Sequence, residues 1–86
     1  MEAESIDVIS MFHKKTVRPV KFKYAGRVHV VSKVLYTWVT REGSYPVHHF
    51  SVLTEDGNRF SVTLRTYQMD WSISAVDESA AVGEQV

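Results

Sequence analysis

The sequence predicts an all-β fold, namely a five-stranded antiparallel, strongly bent meander or a small incomplete barrel. Between residues 17 and 76, apolar and polar residues alternate with a period of two, which is typical of half-buried strands. Branched and aromatic residues, which fit a pleated sheet, dominate this segment. Single glycines mark turns between the alternating runs. The predicted strands cover residues 17–23, 27–40, 47–54, 59–66 and 71–76.

Residues 1–16 form an extension ahead of the predicted sheet. Ser5 is a suitable N-cap, and Asp7 lies where a negative charge favours the start of a helix. We therefore predict a short helix over residues 5–13, with an extended segment as the alternative that the sequence leaves open.

The turn between the first two strands sets which side chains share a face. We predict a three-residue loop that ends at a left-handed Gly26. In this register Phe22 lies opposite Val28, whereas a two-residue loop would set Phe22 opposite His29. We favour the three-residue loop because it keeps apolar side chains together.

The second predicted strand is too long for a flat sheet in so small a domain. Its fourteen residues would extend to roughly 46 Å at ~3.3 Å each. We therefore predict a bend or bulge near Ser32 and Lys33, so that one strand serves two sides of a curled sheet. The predicted partners in the third strand are Val52 for Val34, Phe50 for Tyr36 and His48 for Trp38.

The segment Glu55-Asp56-Gly57 is the strongest turn signal, because Asp-Gly between two alternating runs is typical of a hairpin. With glycine third in the loop, Val52 lies opposite Phe60 and Phe50 opposite Val62. The predicted core comprises Val20, Phe22, Val28, Val30, Val34, Tyr36, Trp38, Phe50, Val52, Phe60, Val62, Leu64, Trp71 and Ile73.

The chain is therefore divided into the extension 1–16, one antiparallel β domain over 17–76, and a tail. The tail, residues 77–86, is acidic and rich in small residues, and we predict that it is disordered. A five-stranded sheet leaves open edges, so closure into an incomplete barrel or dimerisation through an edge is expected.

Composition excludes several classes of function. The 86 residues include no cysteine, so disulfides and thiolate chemistry are excluded. No apolar run is long enough for a membrane helix, and the N-terminus does not resemble a secretory signal, so we expect a cytoplasmic protein without a membrane partner. Phosphate-binding glycine loops and a hydrolase nucleophile motif are also absent. We predict no enzyme activity, no cofactor and no small-molecule substrate.

Adjacent His48 and His49 are a poor metal pair, since neighbouring strand residues face opposite sides. We expect His48 beside Trp38 and His49 in solvent, and we predict no metal site.

The charges are unevenly distributed although they sum to zero. Eight lysines and arginines and no acid lie between His13 and Arg41, whereas two arginines and seven acids lie from Glu42 onward. A basic strand face is typical of proteins that bind the phosphate backbone, and exposed rings such as Tyr24 and Tyr67 would add stacking. A solvated face that prevents edge aggregation and a surface for an acidic protein are the alternatives. The predicted nucleic-acid-binding residues are Lys21, Lys23, Arg27, His29 and Lys33.

Residues 18–27 read Arg-Pro-Val-Lys-Phe-Lys-Tyr-Ala-Gly-Arg, and Val34-Leu35, Trp38 and a closing Trp71 follow. This pattern resembles a family of small bacterial β domains of unknown function with an Arg-Pro-Val-x-Phe-x-aromatic-x-Gly-Arg opening. Similar domains occur alone or at the ends of DNA-repair polymerase-like chains. The resemblance implies a bacterial accessory domain and favours nucleic acid by context.

Taken together, the sequence predicts a non-enzymatic accessory or interaction module that binds nucleic acid weakly and independently of base sequence. The alternative is a protein-interaction or homodimerisation module that uses an exposed strand edge.

Overall fold

The computed structural model describes residues 4–76, which form a closed barrel of six antiparallel strands. The strands follow chain order around the barrel, and the first pairs with the last. The predicted all-β, antiparallel class is confirmed, but the strand number and the incomplete closure are wrong. Within the described residues, no helix is long and apolar enough to cross a membrane. The strands are β1 (Glu4–His13), β2 (Thr16–Tyr24), β3 (Arg27–Glu42), β4 (Tyr45–Thr54), β5 (Arg59–Arg65) and β6 (Asp70–Val76).

β1 is the strand that closes the barrel, and it replaces the helix predicted over residues 5–13. Ile6 and Val8 pack against the core, while Asp7 and Ile9 are exposed. This alternation is the strand pattern, and burial of one face between β2 and β6 outweighs the helix-start signals. The predicted tail over 77–86 lies outside the described residues.

The hairpin between β2 and β3 has a two-residue turn. Ala25 and Gly26 both have positive φ, 55° and 78°, which is the geometry of a type I′ turn. Phe22 therefore lies opposite His29. Gly26 is left-handed as predicted, but the three-residue loop and the pairing of Phe22 with Val28 are wrong.

This register, which differs by one residue from the predicted one, places His29 inside the barrel, where the residue is only 6 % exposed. Its ring stacks on Phe22 at 5.4 Å and lies 4.9 Å from the ring of Phe60. Nδ1 of His29 lies 3.2 Å from a carboxylate oxygen of Asp56 without hydrogen-bond alignment. The Thr54 hydroxyl donates to the other oxygen of Asp56 and, with smaller help from His29, lowers the pKa of that carboxyl.

The hairpin between β4 and β5 follows the prediction. Gly57 has a φ of 87° and ends a three-residue loop. Val52 pairs with Phe60, and Phe50 pairs with Val62. These four apolar side chains are buried at the centre of the core, together with Phe22 and Ile73.

Two bulges interrupt the long strand β3. The first skips Ser32 and confirms the predicted irregularity there, and Val34 pairs with Val52 as predicted. The second skips Leu35, and it was not predicted.

The second bulge reverses the two faces of the rest of β3, because side chains alternate along a strand. Tyr36 pairs with Ser51 and Trp38 with His49, so the predicted partners Phe50 and His48 are wrong. Tyr36 is 68 % exposed and Trp38 46 %. Neither aromatic residue belongs to the core, and the same holds for Val28, which is 61 % exposed on the outer face.

The turn geometry gives a test of the β2–β3 register. Asparagine tolerates the left-handed conformation better than alanine, so Ala25→Asn should stabilise the protein by about 1 kcal/mol. Gly26→Ala should destabilise it by a similar amount, about 1 kcal/mol. Urea unfolding of both variants measures these changes. A neutral or destabilising Ala25→Asn result contradicts the two-residue turn.

Candidate functional site

The barrel has a groove where β2 and β3 separate. Their pairing ends at Lys21 and Val30, and beyond this point no strand of the described chain pairs with β3 on that side. The gap between the two strands forms an open groove with a volume of about 650 Å³. Two strand edges therefore face each other across a space that is accessible from solvent.

Three cations from three different elements line this groove. Lys15 comes from the β1–β2 turn, Arg18 from β2, and Lys33 from β3 just after the first bulge. All three residues are exposed. Among the described residues that line the groove there is no aspartate or glutamate, so this lining is positively charged.

Trp38 forms an aromatic platform at the same groove. Its ring stacks on His49 with a centroid distance of 5.1 Å and an interplanar angle of 5°. Tyr36 is exposed two residues earlier, and residues so spaced on a strand lie roughly 7 Å apart on the same face. The second bulge thus creates two neighbouring exposed rings from residues predicted to be core.

His49 is held by two threonine hydroxyls on the outer face of the sheet. Its Nε2 lies 2.8 Å from Thr40 Oγ1, and its Nδ1 lies 3.3 Å from Thr63 Oγ1. Burial lowers the pKa of His49, and the charges of His48 and Arg65 lower it further. The predicted arrangement is therefore reversed, because His49 rather than His48 lies against Trp38.

The five predicted nucleic-acid-binding residues do not share one face. Lys21 and Lys23 are exposed on the outer face beside Val28, while Arg27 is exposed at the end of the hairpin. His29 is inside the barrel, and only Lys33 lines the groove. The predicted single basic face is wrong because the hairpin register differs by one residue.

The surface aromatics predicted at the turns are only partly placed as expected. Tyr67 is exposed, and its ring centroid lies 4.9 Å from that of Tyr45. Tyr24 is half-buried against Phe60. Sequence reasoning missed the roles of Lys15, Arg18 and Trp38, since their proximity depends on the separation of β2 from β3.

Metal coordination finds no support within the described residues, where no three histidine or acidic side chains are grouped as metal ligands.

Comparison with protein-family models, with curated proteins and with solved structures finds no match to this chain. The family resemblance inferred from residues 18–27 therefore stays a prediction.

The environment of His49 gives a second test. Since burial and neighbouring positive charges disfavour its protonated form, His49 should titrate below its ordinary pKa of 6.5. Between the folded-state pKa and 6.5, the unfolded chain then binds the proton of His49 more readily than the folded chain does. The contribution of neutral His49 to the free energy of unfolding is therefore complete above pH 6.5 and is lost as the pH falls toward the folded-state pKa. An NMR titration of the imidazole resonances measures the midpoint. A midpoint at or above 6.5 contradicts the described environment.

Proposed function

We propose that this chain is a non-enzymatic module that binds single-stranded nucleic acid, independently of base sequence, in the groove between β2 and β3. The observation that supports this function best is the lining of one groove by three cations and an exposed tryptophan, with no acid among the residues of the lining that the structure describes.

The charges support a phosphate backbone as the ligand. Lys15, Arg18 and Lys33 offer donors from both walls of the groove, so a strand lying along it contacts more than one cation. Arginine can bind a phosphate through two parallel hydrogen bonds, while lysine acts as a point charge. Such contacts release counterions and carry no base specificity.

The rings support a single strand rather than a duplex. Bases stack on aromatic side chains only when they are not enclosed in a double helix. Tyr36 and Trp38 are neighbours on one exposed strand face, and the ring of His49 stacks against the ring of Trp38. Because every base has a π-face, this platform tolerates any sequence.

The binding test uses a fluorescent single-stranded oligonucleotide at several salt concentrations. The double variant Arg18→Glu/Lys33→Glu should weaken binding at low salt by roughly tenfold or more, and each lost phosphate contact should reduce the salt slope by ~0.7. Trp38→Ala should cost about 1–3 kcal/mol of binding free energy.

The matched control is Lys21→Glu/Lys23→Glu, which makes the same change of charge on the outer face. This control should lose much less affinity than the groove variant. Equal losses would assign the binding to net charge alone, and no binding by the unaltered protein at low salt would remove the proposal.

A second candidate function rests on the open edge of β3. Glu42 and Tyr45 flank a two-residue turn and form its hydrogen-bonded pair, and hydrogen-bonded and non-hydrogen-bonded pairs alternate along an antiparallel ladder. Counting back from Glu42, the non-hydrogen-bonded positions of β3 are Arg41, Val39 and Thr37. The backbone N–H and C=O groups of these residues therefore point away from β4. A second copy of the chain or another protein could add a strand to this edge.

Light scattering after size exclusion tests this edge in the protein alone. If copies pair through β3, Val39→Pro should shift a dimer to monomer, because it removes one N–H on the open side and spares the β3–β4 ladder. Val39→Thr, which keeps that N–H, should leave the dimer intact. A monomer at all concentrations argues against self-association through this edge.

A further inference from the structure

A second polar cavity lies on the outer face of β3, β4, β5 and β6, on the far side of His49 from the groove. It has a volume of about 280 Å³ and is lined chiefly by hydrogen-bond donors and hydroxyls. Each of the four strands contributes at least one side chain. The polar residues that line it are Thr40, Arg41, Glu42, His49, Thr63, Arg65 and Ser72.

We propose that this cavity binds a tetrahedral oxyanion, of the class of inorganic phosphate or a phosphate monoester. The inference concerns a site separate from the groove, and it does not depend on the groove binding nucleic acid.

The donor set favours an anion over a cation. The guanidiniums of Arg41 and Arg65 and the Ser72 hydroxyl can donate hydrogen bonds to phosphate oxygens, and arginine matches phosphate geometry. Of the two threonine hydroxyls that hold His49, one donates to the acceptor nitrogen of the neutral ring, and the other keeps its O–H for a ligand. A hard divalent cation would favour several carboxylate or carbonyl oxygens, whereas the described lining holds one carboxylate, that of Glu42, and two arginines.

Arg41 and Arg65 are the two arginines that line this cavity, and Arg65 is the one near the Glu42 carboxylate. Its Nε lies 4.0 Å from a carboxylate oxygen of Glu42, and both side chains are nearly half exposed. An ion pair with so long a distance and so much exposure to solvent contributes little to stability. An incoming dianion can therefore replace Glu42 as the partner of Arg65 at small cost.

The His49 side of the cavity is held in place. His49 is fixed between the Thr40 and Thr63 hydroxyls and against the ring of Trp38. Thr63 is itself buried within the β5 ladder. This side needs little ordering when a small ligand binds, whereas the nearly half-exposed side chain of Arg65 must be ordered.

Burial is the main cause of the lowered pKa of His49, and the positive charges of His48 and then Arg65 lower it further. A bound dianion adds an opposite charge beside the imidazole, and an opposite charge favours the protonated form. Phosphate binding should therefore raise the pKa of His49, which gives a readout that needs no activity.

The experiment follows the His49 resonances by NMR while inorganic phosphate replaces chloride at constant ionic strength. We expect a saturable shift at millimolar phosphate and a rise in the His49 midpoint. Arg65→Gln should weaken the response by about tenfold or more, and Arg65→Lys should restore part of it. Glu42→Gln should strengthen it, because the competing carboxylate is removed.

Arg27→Gln is the matched control, since it removes an exposed positive charge at the other end of the barrel. It should leave the phosphate response unchanged. The proposal is overturned if phosphate produces no saturable shift of the His49 resonances, or if the shift survives in Arg65→Gln while that variant keeps its fold by circular dichroism.

Two oligonucleotides that differ only in a 5′-phosphate distinguish the source of the anion. Because His49 also lines the groove, a strand bound there shifts its resonances with or without the 5′-phosphate, so the comparison uses the additional shift that the 5′-phosphate produces. An additional shift that is lost in Arg65→Gln supports a strand terminus as the ligand. No additional shift, together with the response to inorganic phosphate, supports a free phosphate or a small phosphate monoester.

Discussion

The two bulges in β3 are the constraint on which the rest of the molecule depends. A straight strand of 16 residues would extend to roughly 50 Å, more than twice the reach of the seven-residue strands β5 and β6. β3 therefore bends, and each bulge reverses the side to which later side chains point. The first bulge follows the point where β3 separates from β2, and the second directs Tyr36 and Trp38 outward, which leaves the Trp38 ring exposed at the groove.

Turn chemistry and alternation predict the parts of the fold that are local in sequence. The β4–β5 hairpin follows from Glu55-Asp56-Gly57, since the turn type fixes the register of its strands. The same logic fails at the β2–β3 turn. There, pairing valine with Phe22 looks better than pairing His29, but His29 lies beside Phe22 and Tyr24 of its own hairpin and gains Asp56 and Phe60 from the β4–β5 hairpin. Nothing within the β2–β3 hairpin indicates these last two partners.

The closure of the barrel and the composition of the groove are both non-local. β1 becomes a strand because β2 and β6 lie on either side of it, and its own residues are compatible with a short helix as well. Likewise, Lys15, Arg18 and Lys33 meet only after three separate elements are placed. The uneven charge of the chain predicts a basic surface, and the alternation predicts outward cations, but neither indicates which of the eight cations will be neighbours.

Side-chain and backbone contacts hold the β4–β5 turn against β3 at one end of the barrel. The Thr54–Asp56–His29 cluster and the 2.8 Å hydrogen bond from the Glu55 N–H to the Val30 carbonyl tie the β4–β5 turn to β3. Beyond Val30, no backbone pairing joins β2 to β3 among the described residues. The two strands that border the groove are therefore joined directly at the hairpin end alone, and a change in the spacing between them would leave the buried packing of Phe22, His29 and Phe60 in place.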